Sequence, residues 1–130
     1  MKVVNVGIIG GGLMGKEVAG AFGRWFSLND YPVKVELKAV CDLDANTLKW
    51  YEQIPSVELL TTNYKELLAS SKVDVVYVAL PHFLHEQYYI EVIEAGKDLL
   101  AEKPFGMDLK AAMKINEKIA NSKSFVRCCS

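Results

Sequence analysis

Residues Val3 to Ile9 are almost wholly apolar and β-branched, and they run straight into Gly10-Gly11-Gly12-Leu13-Met14-Gly15. Few folds accommodate a buried-type strand that becomes a helix across glycines at this spacing. In the pattern G-x-G-x-x-G, Gly10 permits the tight turn, Gly12 lets the backbone approach a pyrophosphate, and Gly15 lets helix and strand pack closely. The helix start then offers free N–H groups and positive dipole to phosphates. Glycine-rich turns also recur for steric reasons, so the flanks carry the argument. Here a strand precedes the glycines, and Val18, Ala21, Phe22, Trp25 and Phe26 follow at helical spacing.

Strand and helix alternate along the rest of the chain. Asn29-Asp30-Tyr31-Pro32 reads as a turn and Val33 to Cys41 as a second strand. Asp44 to Gln53 reads as a helix capped by Asp42 or Asp44, and Glu58 to Leu60 as a short third strand or an extended loop. Tyr64 to Ala69 is a short helix. Val73 to Leu80 is the clearest strand, ended by Pro81, and His85 to Ala95 is a helix with Gly96 at its boundary. Leu99 to Ala101 is a fifth strand, Leu109 to Asn121 a helix with Asp108 as N-cap, and Phe125 to Cys128 the start of a sixth strand. Such alternation implies right-handed crossovers and a parallel sheet covered on both faces. The expected class is α/β, a doubly wound parallel sheet of the Rossmann dinucleotide-binding type.

At 130 residues and 51% hydrophobic the chain suits one domain with a real core. Its net charge of -1 gives no electrostatic argument for nucleic acid or an anionic membrane surface, which leaves small molecules as the expected partners. Three cysteines, Cys41, Cys128 and Cys129, cannot all pair, and adjacent cysteines rarely bridge each other. They read as reduced thiols of a cytoplasmic protein. Lys2 before an apolar stretch imitates an export signal, but the glycines, Lys16 and Glu17 interrupt the continuous run such a signal requires. No stretch approaches the roughly 18 apolar residues of a membrane span. Two histidines and scattered carboxylates give no metal-ligand spacing.

Open α/β sheets place their chemistry outside the carboxyl ends of the strands. Strand one ends in the glycine loop. Strand two ends in Asp42, an acidic position suited to accept hydrogen bonds from an adenosine ribose and to repel a 2′-phosphate, although it lies further from the glycines than the typical spacing of about 20 residues. Asp42 reads equally as a helix N-cap, and both roles can coexist. Strand four ends in Ala79-Leu80-Pro81-His82, with His85 opening the next helix; each histidine is either a donor to a bound ribose or substrate or a capping and packing group. Strand five ends in Glu102-Lys103-Pro104, which places two opposite charges and a proline where a buried strand stops.

The loop GGGLMG, the step Cys41-Asp42-Leu43-Asp44 and the segment VDVVYVALPHFLHEQYYIEVIEAGKDLLAEKPFG together resemble the N-terminal domain of the glucose-fructose oxidoreductase and inositol dehydrogenase (Gfo/Idh/MocA) family. The ordered set of Pro81, His85, Glu94-Ala95-Gly96-Lys97 and Glu102-Lys103-Pro104 is its most specific part. The resemblance implies an oxidoreductase that binds NAD, with NADP less favoured, and acts on a sugar, polyol or related hydroxyl or keto substrate. It implies Lys103 as the catalytic residue at the substrate oxygen, with Pro104 following a cis peptide bond. The implied cofactor-binding set is Gly10, Gly12, Leu13, Met14, Gly15, Asp42, Leu80, Pro81, His85, Glu102 and Lys103.

Members of that family continue into a second α/β domain that holds the substrate and supplies a second catalytic group. The expected organisation is therefore a dinucleotide-binding domain over residues 1–123, with 124–130 starting a crossover strand toward a domain this chain does not contain. On that reading the chain binds cofactor with little or no turnover, and is either monomeric or a homo-oligomer paired through exposed apolar surface. A non-catalytic dinucleotide-binding sensor or regulatory module is the alternative.

Overall fold

The computed structural model describes residues 2–24 and 32–129. The expected helical positions Trp25 and Phe26, and Asn29, Asp30 and Tyr31 of the expected turn, lie outside them. In chain order the elements are β1 (Lys2–Ile9), α1 (Leu13–Phe22), β2 (Val33–Cys41), α2 (Ala45–Leu48), β3 (Leu59–Thr61), α3 (Tyr64–Ala69), β4 (Val75–Val78), α4 (His85–Glu94), β5 (Asp98–Ala101), α5 (Leu109–Ala120) and β6 (Val126–Cys128). All six strands are parallel and lie in the order β3-β2-β1-β4-β5-β6. The order reverses between β1 and β4, so a crevice opens there at the carboxyl edge.

Alternation along the central strands produces the two covered faces. Ile9, Ala39, Cys41, Val76 and Val78 point to one side, where Leu67, Tyr89, Val92, Ile93 and Ile115 from α3, α4 and α5 bury them. Ile8, Val40 and Tyr77, one residue out of step, point to the other and pack with Ala19, Leu48 and Tyr51. On α4 the buried residues His85, Tyr89, Val92 and Ile93 recur at the spacing of one helical face.

Several elements differ from their sequence-based outlines for local reasons. The helix expected from Asp44 to Gln53 is one α-turn followed by a 3₁₀ segment, Lys49–Gln53, which brings Tyr51 wholly into the core. Asp44 is its N-cap and accepts from the Asn46 N–H at 2.9 Å. A 3₁₀ turn, His82–Leu84, precedes α4. β4 is shorter than Val73 to Leu80: Val73 is buried, but its N–H bonds back to the Ser70 carbonyl in a turn. The third strand lies one residue later than expected and pairs with β2 through Leu59, Leu60 and Thr61. β6 pairs with β5 from Leu99 to Ala101, so the sheet extends past residue 123 and takes in 126–128.

Candidate active site

The glycine turn is built almost entirely from backbone. Gly10 has φ +102°, donates its N–H to the Cys41 carbonyl at 2.8 Å, and a Cβ placed there would lie 2.3 Å from the Ala79 carbonyl oxygen. A Cβ at Gly15 would lie 2.3 Å from the Gly10 carbonyl oxygen, so this glycine allows helix and turn to touch. Gly12 is different: a Cβ there meets nothing within 4 Å. Open space beside an extended Gly12 that no side chain caps, at the start of a ten-residue helix, fits a pyrophosphate. Leu13 and Met14, the first residues of α1, are exposed beside it.

Two side chains fix this turn. Asp42 accepts the Gly11 N–H at 2.8 Å through one carboxylate oxygen and the Asp44 N–H at 2.9 Å through the other. Each oxygen can still accept another hydrogen bond, as a ribose hydroxyl requires. The Tyr51 hydroxyl donates to the Gly11 carbonyl at 2.9 Å. Burial pushes the Tyr51 phenol up to about 12, helped by the nearby Asp42 charge, so it stays protonated and donating at neutral pH. Burial likewise lifts the Cys41 thiol to about 11, which leaves it an inert core residue.

The segment after β5 is held by side chains. Tyr77 of β4 donates to the Glu102 carboxylate at 2.7 Å. The Tyr89 hydroxyl of α4 accepts the Glu102 N–H and donates to the Glu102 carbonyl, both at 2.8 Å. Burial raises the pKa of both phenols, and for Tyr77 the hydrogen bond to the Glu102 carboxylate adds to it. Lys103 is exposed, donates its backbone N–H to Glu102 Oε2 at 3.3 Å, and precedes a cis peptide bond to Pro104.

His85 stands differently from the ligand donor considered from the sequence. It is 1% exposed and stacks on Tyr89 with ring centroids 4.7 Å apart. Its Nδ1 lies 2.7 Å from the Pro104 carbonyl oxygen and its Nε2 3.1 Å from that of Leu80. Both nitrogens face carbonyl oxygens inside the protein, and its ring proton serves one of them, so the ring offers no free donor to a ligand. His82, Pro81 and Phe83 are exposed on the loop above it, and Leu80 is half-buried.

Because the strands are parallel and in register at Ile9, Cys41 and Val78, one edge of the sheet carries the glycine turn, Asp42, Leu80, Pro81, Glu102 and Lys103. Sequence reasoning missed Tyr51, Tyr77 and Tyr89. The available signal was a phenol recurring in otherwise apolar core positions, where a buried hydroxyl must find a partner. Among the described residues no group of three His, Cys, Asp or Glu side chains could hold a metal ion, and no helix is long and apolar enough to cross a membrane.

Strand order and edge chemistry define the class, a Rossmann dinucleotide-binding domain. The model of the Gfo/Idh/MocA oxidoreductase family, described as having an NAD-binding Rossmann fold, matches residues 4–128, and the chain belongs to that family. It is 30% identical over 108 residues to the uncharacterised oxidoreductase YrbE of Bacillus subtilis, covering 83% of this chain and 30% of that protein. It is 42% identical over 64 residues to the D-xylose 1-dehydrogenase (NADP(+)) of Hypocrea jecorina, covering 49% of this chain and 16% of the enzyme. Among solved structures, myo-inositol 2-dehydrogenase from Lactobacillus plantarum superimposes with a TM-score of 0.82 at 27% identity, over 98% of this chain and 36% of that one. The chain thus spans at most about a third of the length of these relatives.

Proposed function

We propose that this chain is the cofactor-binding part of an NAD-dependent dehydrogenase acting on a CH–OH group of a sugar, polyol or related substrate, with Lys103 at the substrate oxygen. The observation that carries the reading is the meeting, on one sheet edge, of an open glycine turn, an acidic residue and an exposed lysine. The names of the xylose and inositol relatives favour the substrate class. Bound NAD(H) supplies the hydride donor or acceptor.

The residues of this chain bind and orient. N–H groups at the start of α1 receive the pyrophosphate beside Gly12. Asp42 accepts from the adenosine ribose with its remaining lone pairs and repels a 2′-phosphate, which favours NAD over NADP. The ammonium of Lys103 donates to the substrate oxygen, stabilises the negative charge that develops there and can transfer a proton. The two-thirds of the relatives' length outside the match is where the remaining substrate contacts are expected. The 130 residues by themselves should therefore bind cofactor without turnover.

Titration of NADH into the folded chain, followed by fluorescence, should show saturable binding; its absence from a chain shown to be folded overturns the cofactor assignment. Replacing Asp42 with alanine should bring the affinities for NADH and NADPH together, and an unchanged ratio removes Asp42 from the selectivity argument.

A further inference from the structure

Pairing between β4 and β5 stops at Tyr77 and Leu100. Just beyond it the Ala79 N–H still bonds to the Ile9 carbonyl of β1, whereas no ladder pair joins β4 to β5. The sheet splits at this point. Glu102 would have to leave its N–H and carbonyl without the partners a neighbouring strand supplies, and one side chain supplies both: the Tyr89 hydroxyl accepts the first and donates to the second.

That hydroxyl has a single proton, committed to Glu102. In the tautomer with its proton on Nδ1, His85 donates to the Pro104 carbonyl at 2.7 Å, the shorter of its two carbonyl contacts, and Nε2 then has no proton for the Leu80 carbonyl 3.1 Å away. Both rings come from the first turns of α4 and are buried, Tyr89 completely. Glu102 and Pro104 flank Lys103 on either side. The lysine backbone is therefore clamped at both neighbours by one helical face.

We propose that Tyr89 and His85 are positioning residues for Lys103. They hold Glu102 and Pro104 on either side of the lysine, so that the distance from the lysine to bound cofactor is set by α4. Tyr77 adds a third hold through the Glu102 carboxylate. The hydrogen bonds of these three go to Glu102 and Pro104, whereas the glycine turn is held by Tyr51 and Asp42. The proposal rests on Lys103 lying beside the cofactor, as proposed above.

The test uses this chain and NADH, read by amide NMR. Tyr89→Phe keeps the ring and deletes the hydroxyl. Hydrogen exchange at the Glu102 amide should accelerate about tenfold, the scale of one lost hydrogen bond. NADH should still shift the Gly12 amide at little-changed affinity, while the NADH-induced shift of the Lys103 amide collapses. Tyr51→Phe is the matched control: it should weaken NADH binding about tenfold and leave Glu102 exchange unaltered. His85→Gln, which removes the imidazole from the Pro104 carbonyl, should lose the Lys103 response selectively and serves if Tyr89→Phe does not fold. Unaltered Glu102 exchange in Tyr89→Phe overturns the clamp, as does a Lys103 response in either variant that still tracks that of Gly12. A wild-type Lys103 that ignores NADH while Gly12 responds overturns the placement of Lys103 itself, and the positioning role with it. Glu102 exchange distinguishes that failure from a failure of the clamp.

Discussion

The glycine turn and the lysine segment sit on the same sheet edge and are held by opposite means. Around Gly10 to Gly15 the fit is made by missing side chains: carbonyl oxygens of Ala79 and Gly10 occupy the space a methyl would need. Around Glu102 to Pro104 the fit is made by added side chains, three of them aromatic, reaching from β4 and α4. A backbone-built turn tolerates almost no substitution at its contact points but needs few partners. A side-chain-held segment can lose one partner and stay folded, at the cost of placement.

That contrast makes Gly10→Ala the most damaging single change. Its methyl would meet a carbonyl at 2.3 Å from a backbone with φ +102°, so urea unfolding should show a loss of about 3 kcal/mol. A loss below about 0.5 kcal/mol, the range of an ordinary surface change, would break the comparison at its strongest point. Gly12→Ala sharpens it: with nothing within 4 Å, the variant should lose no more than about 1 kcal/mol, the difference between glycine and alanine as N-cap. Its NADH affinity should nevertheless fall about tenfold or more, because the methyl takes the space proposed for the pyrophosphate.

Alkaline pH probes both regions at once. Cys41 and Tyr51 beside the turn, and Tyr77 and Tyr89 beside the lysine, all hold their protons more tightly folded than unfolded. Each contribution is complete below the group's ordinary value, 9.0 for the thiol and 10.0 for the phenols, and is lost as pH rises toward the folded value. The urea midpoint should therefore hold steady to about pH 9 and then decline through pH 12. A midpoint that stays flat across that interval would show that these groups are not buried as described. The smallest effect expected is from Tyr77→Phe, about 1 kcal/mol of stability with NADH affinity unchanged, since only the Glu102 carboxylate loses a donor. A comparable loss of NADH affinity would show that the two regions are not independent.

The backbone-built half was legible in the sequence because its information is local. Glycine spacing states where side chains are excluded, and the boundaries of β2 and α3 followed from alternation and helical spacing within a few residues. The side-chain-held half was legible only as an anomaly, two charges and a proline after an apolar strand. Its partners lie 25 residues away at Tyr77, 13 at Tyr89 and 19 at His85, and their pairing depends on where β4 and β5 part. No periodicity encodes that. His85 illustrates the difficulty: histidine at the start of a helix reads either as a donor to ligand or as a capping and packing group, and only its tertiary placement between two carbonyls favours the second. The 3₁₀ segment that delivers Tyr51 was likewise hidden inside a helical pattern.

The carboxylate of Asp42, shared between Gly11 and Asp44, has a consequence for redesign. A residue that only recognised ribose could be exchanged for one that welcomes a phosphate in a single step. Here the same exchange withdraws a support from the turn, so any variant retuned toward NADP starts from a loosened turn at the proposed pyrophosphate site. Conversion should therefore require a compensating acceptor for the Gly11 N–H before the new preference yields useful affinity, and selection for the alternative cofactor would have to cross that intermediate.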